Sequence, residues 1–199
     1  SMLKPQIPSS QIEKIKKNKK TKETEKSFKD LGPKTTESQK VRQVQINNQV
    51  TQKVLKKYEP HGLIDENVLN SDFNLKPELP KGIPEDELNS IEKIYFSFQK
   101  RMFVQYLNTF ITTYNKQKQR RPLLKSELQN ERHRLSARVI FDKEGNIIAI
   151  KVIKSSPNDD VHDLFEQTLR NIQKVPNPPK DFINKDDEFV IYYSLNINK

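Results

Sequence analysis

Leu135-Ser136-Ala137-Arg138-Val139-Ile140-Phe141-Asp142-Lys143-Glu144-Gly145-Asn146-Ile147-Ile148-Ala149-Ile150-Lys151-Val152-Ile153-Lys154 is the stretch on which the fold turns. Leu135, Ala137, Val139 and Phe141 alternate with Ser136, Arg138 and Ile140, the period of two that marks a strand with one buried face. Asp142 to Asn146, short, acidic and containing glycine, supplies a turn, and Ile147 to Lys154 is again rich in β-branched residues. The segment therefore predicts a β-hairpin over residues 134–154.

Helical signals flank the hairpin. Upstream, Pro84-Glu85-Asp86-Glu87 places a proline and then acids where a helix start has unpaired N–H groups and a positive dipole end. Leu88, Ile91, Tyr95, Phe98, Met102, Tyr106, Phe110 and Tyr114 follow at spacings of three or four, with Ile94, Val104, Leu107 and Ile111 widening the stripe. A long helix over 85–119 is expected, ending before Pro122 because a residue preceding proline disfavours helical geometry. Downstream, Ser155 to Asp160 offers capping chemistry, and Val161, Leu164, Phe165, Leu169 and Ile172 mark a helix over 160–174 that stops before Pro176. After the extended Asn177-Pro178-Pro179, a last strand over 188–197 carries Phe189, Ile191, Tyr193, Leu195 and Ile197 on one face. The expected fold class is α+β: two helices packed on a small three-stranded antiparallel sheet, within a domain at 85–199.

The rest of the chain has a different composition. Residues 1–57 hold 15 Lys+Arg against 5 Asp+Glu, whereas residues 58–199 hold 21 of each, so the net charge of +10 belongs to the first part. Residues 1–58 read as a basic, mostly disordered spacer with a weak helical pattern over 41–58. They have too little apolar surface to offset roughly 1–2 kcal/mol of backbone entropy per residue. Residues 59–84, with Pro60, Gly62, Pro77, Pro80, Gly82 and Pro84, read as a proline-rich linker whose Phe73 and Leu75 lie against the following domain.

Composition also excludes chemistry. With no Cys among 199 residues there are no disulfides, thiolate metal sites or thiol nucleophiles. His61, His133 and His162 are far apart and read as surface residues, and Asp159-Asp160 and Asp186-Asp187-Glu188 read as capping or solubilising groups. No cofactor, metal site or catalytic residue is expected. A nucleic-acid or scaffold role through the basic arm is the alternative reading, weakened by the absence of Trp and of aromatics interleaved with the lysines.

An outer strand exposes unpaired N–H and C=O groups that can receive another extended chain. On the expected sheet that strand is the last one, which makes Phe189, Val190, Ile191, Tyr192, Tyr193, Ser194 and Leu195 the candidate partner-binding residues. Strand exchange into a homodimer stays open.

The run Ala137 to Ile148, then Val152-Ile153-Lys154-Ser155-Ser156, then Val175-Pro176-Asn177-Pro178-Pro179 and the closing apolar strand resembles the C-terminal domain of TonB and of the related TolA. The resemblance covers residues 134–198 by order and spacing and 85–122 by element type; Pro157 stands where such sequences usually carry Gly after Ser-Ser. It implies a periplasmic domain on a cytoplasmic-membrane anchor, joined by a long spacer. Such a domain grips an outer-membrane receptor or periplasmic protein and passes on work from an inner-membrane motor. It also implies peptide docking beside the last strand. No run approaches the ~18 apolar residues of a membrane-spanning helix. Ser1-Met2 resembles a remnant of tag removal, so the expected anchor would precede the quoted chain.

Overall fold

The structure, a computed structural model, describes residues 37–58, 64–65, 68, 70–78, 88–172 and 174–197, the side chains of 37–47 and 88–90 excepted. The spacer before residue 37, much of the linker at 59–84 and the helix start at Pro84 to Glu87 lie outside the described residues. In chain order come α1 (Glu37–Tyr58), β1 (Asp72–Pro77), α2 (Leu88–Arg120), α3 (Leu124–Asn130), β2 (His133–Asp142), β3 (Ile147–Lys154), α4 (Asp159–Arg170), a 3-10 turn (Lys180–Phe182) and β4 (Glu188–Ile197).

The class is α+β, but with four helices and a four-stranded antiparallel sheet among the described residues rather than two and three. The strand order is β1-β4-β2-β3. β1 supplies the extra strand, from the segment read as linker. Two features hid it: its only apolar alternation is Phe73 and Leu75, and it closes on Pro77. α3, the other unexpected element, buries just Leu124 and Leu128, one turn apart on one face.

The hairpin turn is held by the residues that predict it. Asp142 accepts from the Asn146 backbone N–H at 2.7 Å and from its side-chain amide at 2.8 Å, and these bonds hold the Asp142 carboxyl below its usual range. Gly145 takes a positive φ of 87°, open to glycine at little cost. Its carbonyl accepts the Val175 N–H at 2.8 Å, tying the turn to the chain leaving α4.

α2 lies across one face of the sheet, and its aromatic stripe forms the core. Tyr95, Phe98, Met102, Tyr106, Phe110 and Tyr114 are buried, as are Phe103, Leu107 and Ile111; Ile94, counted in the stripe, is 39% exposed. Tyr106 meets Tyr193 edge-on at 5.1 Å, and Phe98 and Phe141 contact Phe189 at 6.1 and 5.1 Å. α1 and α4 pack along α2 as well. Tyr58 donates to the Asn108 side chain at 2.7 Å, and Leu55 is buried. α4 begins at Asn158, whose side chain caps the Val161 N–H, and Arg121 at the end of α2 pairs with Asp160 and Asp163.

Asp65 fastens the chain ahead of β1 to α2 and α3. It accepts from the Tyr114 hydroxyl and lies 3.3 Å from both Lys118 and Lys125, with 14% of its side chain exposed. Burial raises its pKa, but the Tyr114 bond and the two ammonium groups outweigh this and leave it below the ordinary 3.8. A lowered folded-state pKa gives stability that is present above the unfolded value and lost as pH falls through the folded one. Asp65→Asn is expected to cost about 1–2 kcal/mol at neutral pH. It should also flatten the acid limb of stability below about pH 4, read by urea titrations at stepped pH.

Candidate partner-binding edge

β4 is not an outer strand. β2 pairs with it over ten positions, His133↔Ile197 to Asp142↔Glu188, and β1 over six, Asp72↔Asn196 to Pro77↔Ile191. The unpaired row expected along Phe189 to Leu195 is therefore taken up on both flanks within the molecule. Phe189, Ile191, Tyr193 and Leu195 point into the core beneath α2. Val190 and Tyr192 lie on the opposite face, packed with Ile140, and Ser194 is partly exposed there. The signal for a central strand was present in the sequence: five consecutive apolar or aromatic residues, Phe189 to Tyr193, suit a strand covered on both faces better than a half-exposed edge.

The pairing also fixes where each β1 backbone group points. The Glu78 N–H donates to the Val190 carbonyl at 2.8 Å, making 78 and 190 a hydrogen-bonded pair. By antiparallel alternation, Phe73, Leu75 and Pro77 then turn their N–H and C=O positions away from β4. That outer rim is blunted. Pro77 has no N–H to offer, and the Leu75 carbonyl is occupied by the Gln99 side-chain amide at 2.6 Å.

β3 is the opposite outer strand, and its register against β2 slips twice. Ser136↔Lys154 is followed by Ala137↔Val152, and Ile140↔Ala149 by Phe141↔Ile147, so Ile153 and Ile148 are the extra, bulged residues. Both are exposed, at 40% and 53%. Bulges together with Lys151 and Lys154 make β3 a poor template for a further strand.

His133 and His162, read as surface residues, and the acids Asp160 and Asp187 have local partners, Asp160 meeting Arg121 and Asp187 meeting Lys143. His133, contrary to the surface reading, is buried: its Nε2 donates to the Glu127 carbonyl at 3.1 Å and its Nδ1 lies 2.8 Å from the Ser156 hydroxyl. His162 lies 2.6 Å from the Ser155 hydroxyl and 3.4 Å from Glu166. His61 lies outside the described residues. Among the described residues no helix is long and apolar enough to cross a membrane.

A long helix laid over a four-stranded antiparallel sheet defines a small α+β domain. Residues 105–191 match the family model described as TonB C terminal, so this part of the chain is similar to TonB C-terminal domains. The family is one of non-enzymatic transducing and binding domains. The match runs from α2 through the hairpin and α4 into β4, and leaves out α1 and β1. No curated protein and no solved structure matches the chain.

Proposed function

We propose that this chain is a periplasmic coupling module: it captures an extended peptide of an outer-membrane receptor or periplasmic protein along β4 and transmits force to it from a cytoplasmic-membrane motor. The anchor would be carried by a segment ahead of the quoted residues, and the basic N-terminal part would serve as the spacer. The TonB C-terminal match supports the envelope role. The single observation that carries the capture mode is that β4 already accepts, over six positions, a strand drawn from outside the matched domain. Main-chain pairing of this kind needs no particular sequence, while alternate side chains in pockets supply selectivity.

The test is a titration of the isotope-labelled full chain with extended peptides taken from outer-membrane receptors. The expected result is a set of amide shifts concentrated in Phe189, Val190, Ile191, Tyr192, Tyr193, Ser194 and Leu195. A parallel titration with duplex DNA across a salt series addresses the basic arm. Unmoved β4 amides, together with DNA affinity that drops steeply with salt, would replace the coupling role by a nucleic-acid adaptor.

A further inference from the structure

We propose that β1 is a resident occupant of a peptide groove, and that a partner peptide copying its alternation must displace it from β4. This rests on the capture reading above. The groove has a floor, a wall and two sockets. Its floor is the flank of β4 from Ile191 to Asn196, and its wall is α2. Phe73 fills the first socket, edge-on to Tyr106 at 5.7 Å and to Phe110 at 4.8 Å. Leu75 fills the second and is fully buried, while Gln99 grips its carbonyl at 2.6 Å. Asn74 and Lys76, on the other face, are partly exposed.

These contacts specify the ligand chemistry: an extended segment with an aromatic residue, an aliphatic residue two positions later, and polar residues between. The backbone bonds to β4 can be made by any such segment, because they involve no side chain of β1. The two flanks of β4 are unequal. β2 is held over ten positions, within the matched domain and by a short turn to β3, whereas β1 is held over six and lies outside the match. β1 is accordingly the exchangeable neighbour. Because it is tethered, it competes at an effective concentration on the order of millimolar. A partner's apparent affinity is reduced by the fraction of molecules in which β1 is in place.

The absence of cysteine from the chain makes a clean lock available. Asn74 and Ser194 face each other across β1 and β4 as a hydrogen-bonded pair on the partly exposed side. Such pairs sit about 5.5 Å apart at Cα, within disulfide reach. The experiment uses the full chain with Asn74→Cys and Ser194→Cys, oxidised or reduced, and a labelled synthetic peptide spanning residues 71–78, Ser-Asp-Phe-Asn-Leu-Lys-Pro-Glu. The reduced protein is expected to bind the peptide, the oxidised protein at least about 10-fold more weakly, and reductant should restore binding. A peptide with serine at the Phe and Leu positions should bind neither form. Leu75→Ala, which loosens β1, should raise affinity for the unaltered peptide.

Equal binding to both redox forms, or no binding to the reduced and Leu75→Ala proteins alike, overturns the displacement. Receptor peptides separate the two proposals. If they bind the oxidised and reduced forms equally, an envelope coupling role stands at another surface, while displacement of β1 and capture along β4 fall together. If the residue 71–78 peptide exchanges while receptor peptides do not, displacement stands and the coupling role falls.

Discussion

Replacing Gly145 with alanine should lower the melting temperature by roughly 10–20 °C, an effect out of proportion to one methyl group. Two costs combine. At φ 87° an L-residue carries a penalty of about 1–2 kcal/mol. A Cβ there would also sit 2.2 Å from the Val175 carbonyl oxygen and 3.0 Å from its carbon, which are main-chain atoms that cannot rotate aside. Relief requires the turn to move away from the exit of α4, and the 2.8 Å bond from the Val175 N–H to the Gly145 carbonyl would stretch with it. Together these suggest about 3–5 kcal/mol, a large share of the ~5–15 kcal/mol typical of a domain. Asparagine separates the causes. It tolerates positive φ well, so Gly145→Asn would be mild if conformation alone mattered. The contact with Val175 instead makes Asn nearly as damaging as Ala, and thermal melts of the two variants side by side decide the matter.

Proline at Ile191 is the second substitution with a large expected effect, and its meaning follows from the place of β4 in the sheet. On an outer strand it would mainly impair capture of a partner. Here β4 is central, and Ile191 pairs with Pro77 on one side and Val139 on the other. Alternation turns its N–H toward β2, so proline removes a bond from the best-paired interface and forces its ring against Val139. Ile191 is also fully buried. A loss of about 3 kcal/mol or more is expected, seen as a collapsed near-UV dichroism signal and resonance dispersion lost across the domain rather than at one flank. The matching control is Leu75→Pro in β1, whose N–H already faces away from the sheet. It should spare the main-chain ladder and cost chiefly its buried side chain. A folded Ile191→Pro protein that merely fails to bind peptide would contradict the observed strand order.

What could be read from the sequence was set by the density of the apolar pattern. The hairpin, α2, α4 and β4 each carry repeated alternation or a sustained stripe, and β4 runs over the expected Glu188–Ile197. α4 ends at Arg170, short of the expected 174: the Asn171 N–H makes the last helical bond, to the Gln167 carbonyl at 2.9 Å, and the Ile172 N–H tightens onto the Leu169 carbonyl at 3.2 Å before Pro176 is reached. β1 was illegible for the opposite reason. Two apolar residues among six, in a stretch punctuated by proline, are too few to reveal a strand, although both side chains prove to be core. Position within a sheet is harder still, since a strand's own residues report which faces are buried and not which neighbours it has. The candidate residues Phe189 to Leu195 thus lie on β4, but the free flank expected for them is filled by β1.

The missing N–H at Pro77 and the guarded carbonyl of Leu75 have a consequence for crowding. Sheets lengthen when one molecule's last strand finds donors and acceptors on the next, and repetition of that step gives fibres. Two copies meeting at this side would find a gap where a donor is needed and an acceptor already spoken for. At the other side they would meet lysines and a bent ribbon. Neither border of the described sheet therefore offers a ready template for strand-on-strand growth between copies.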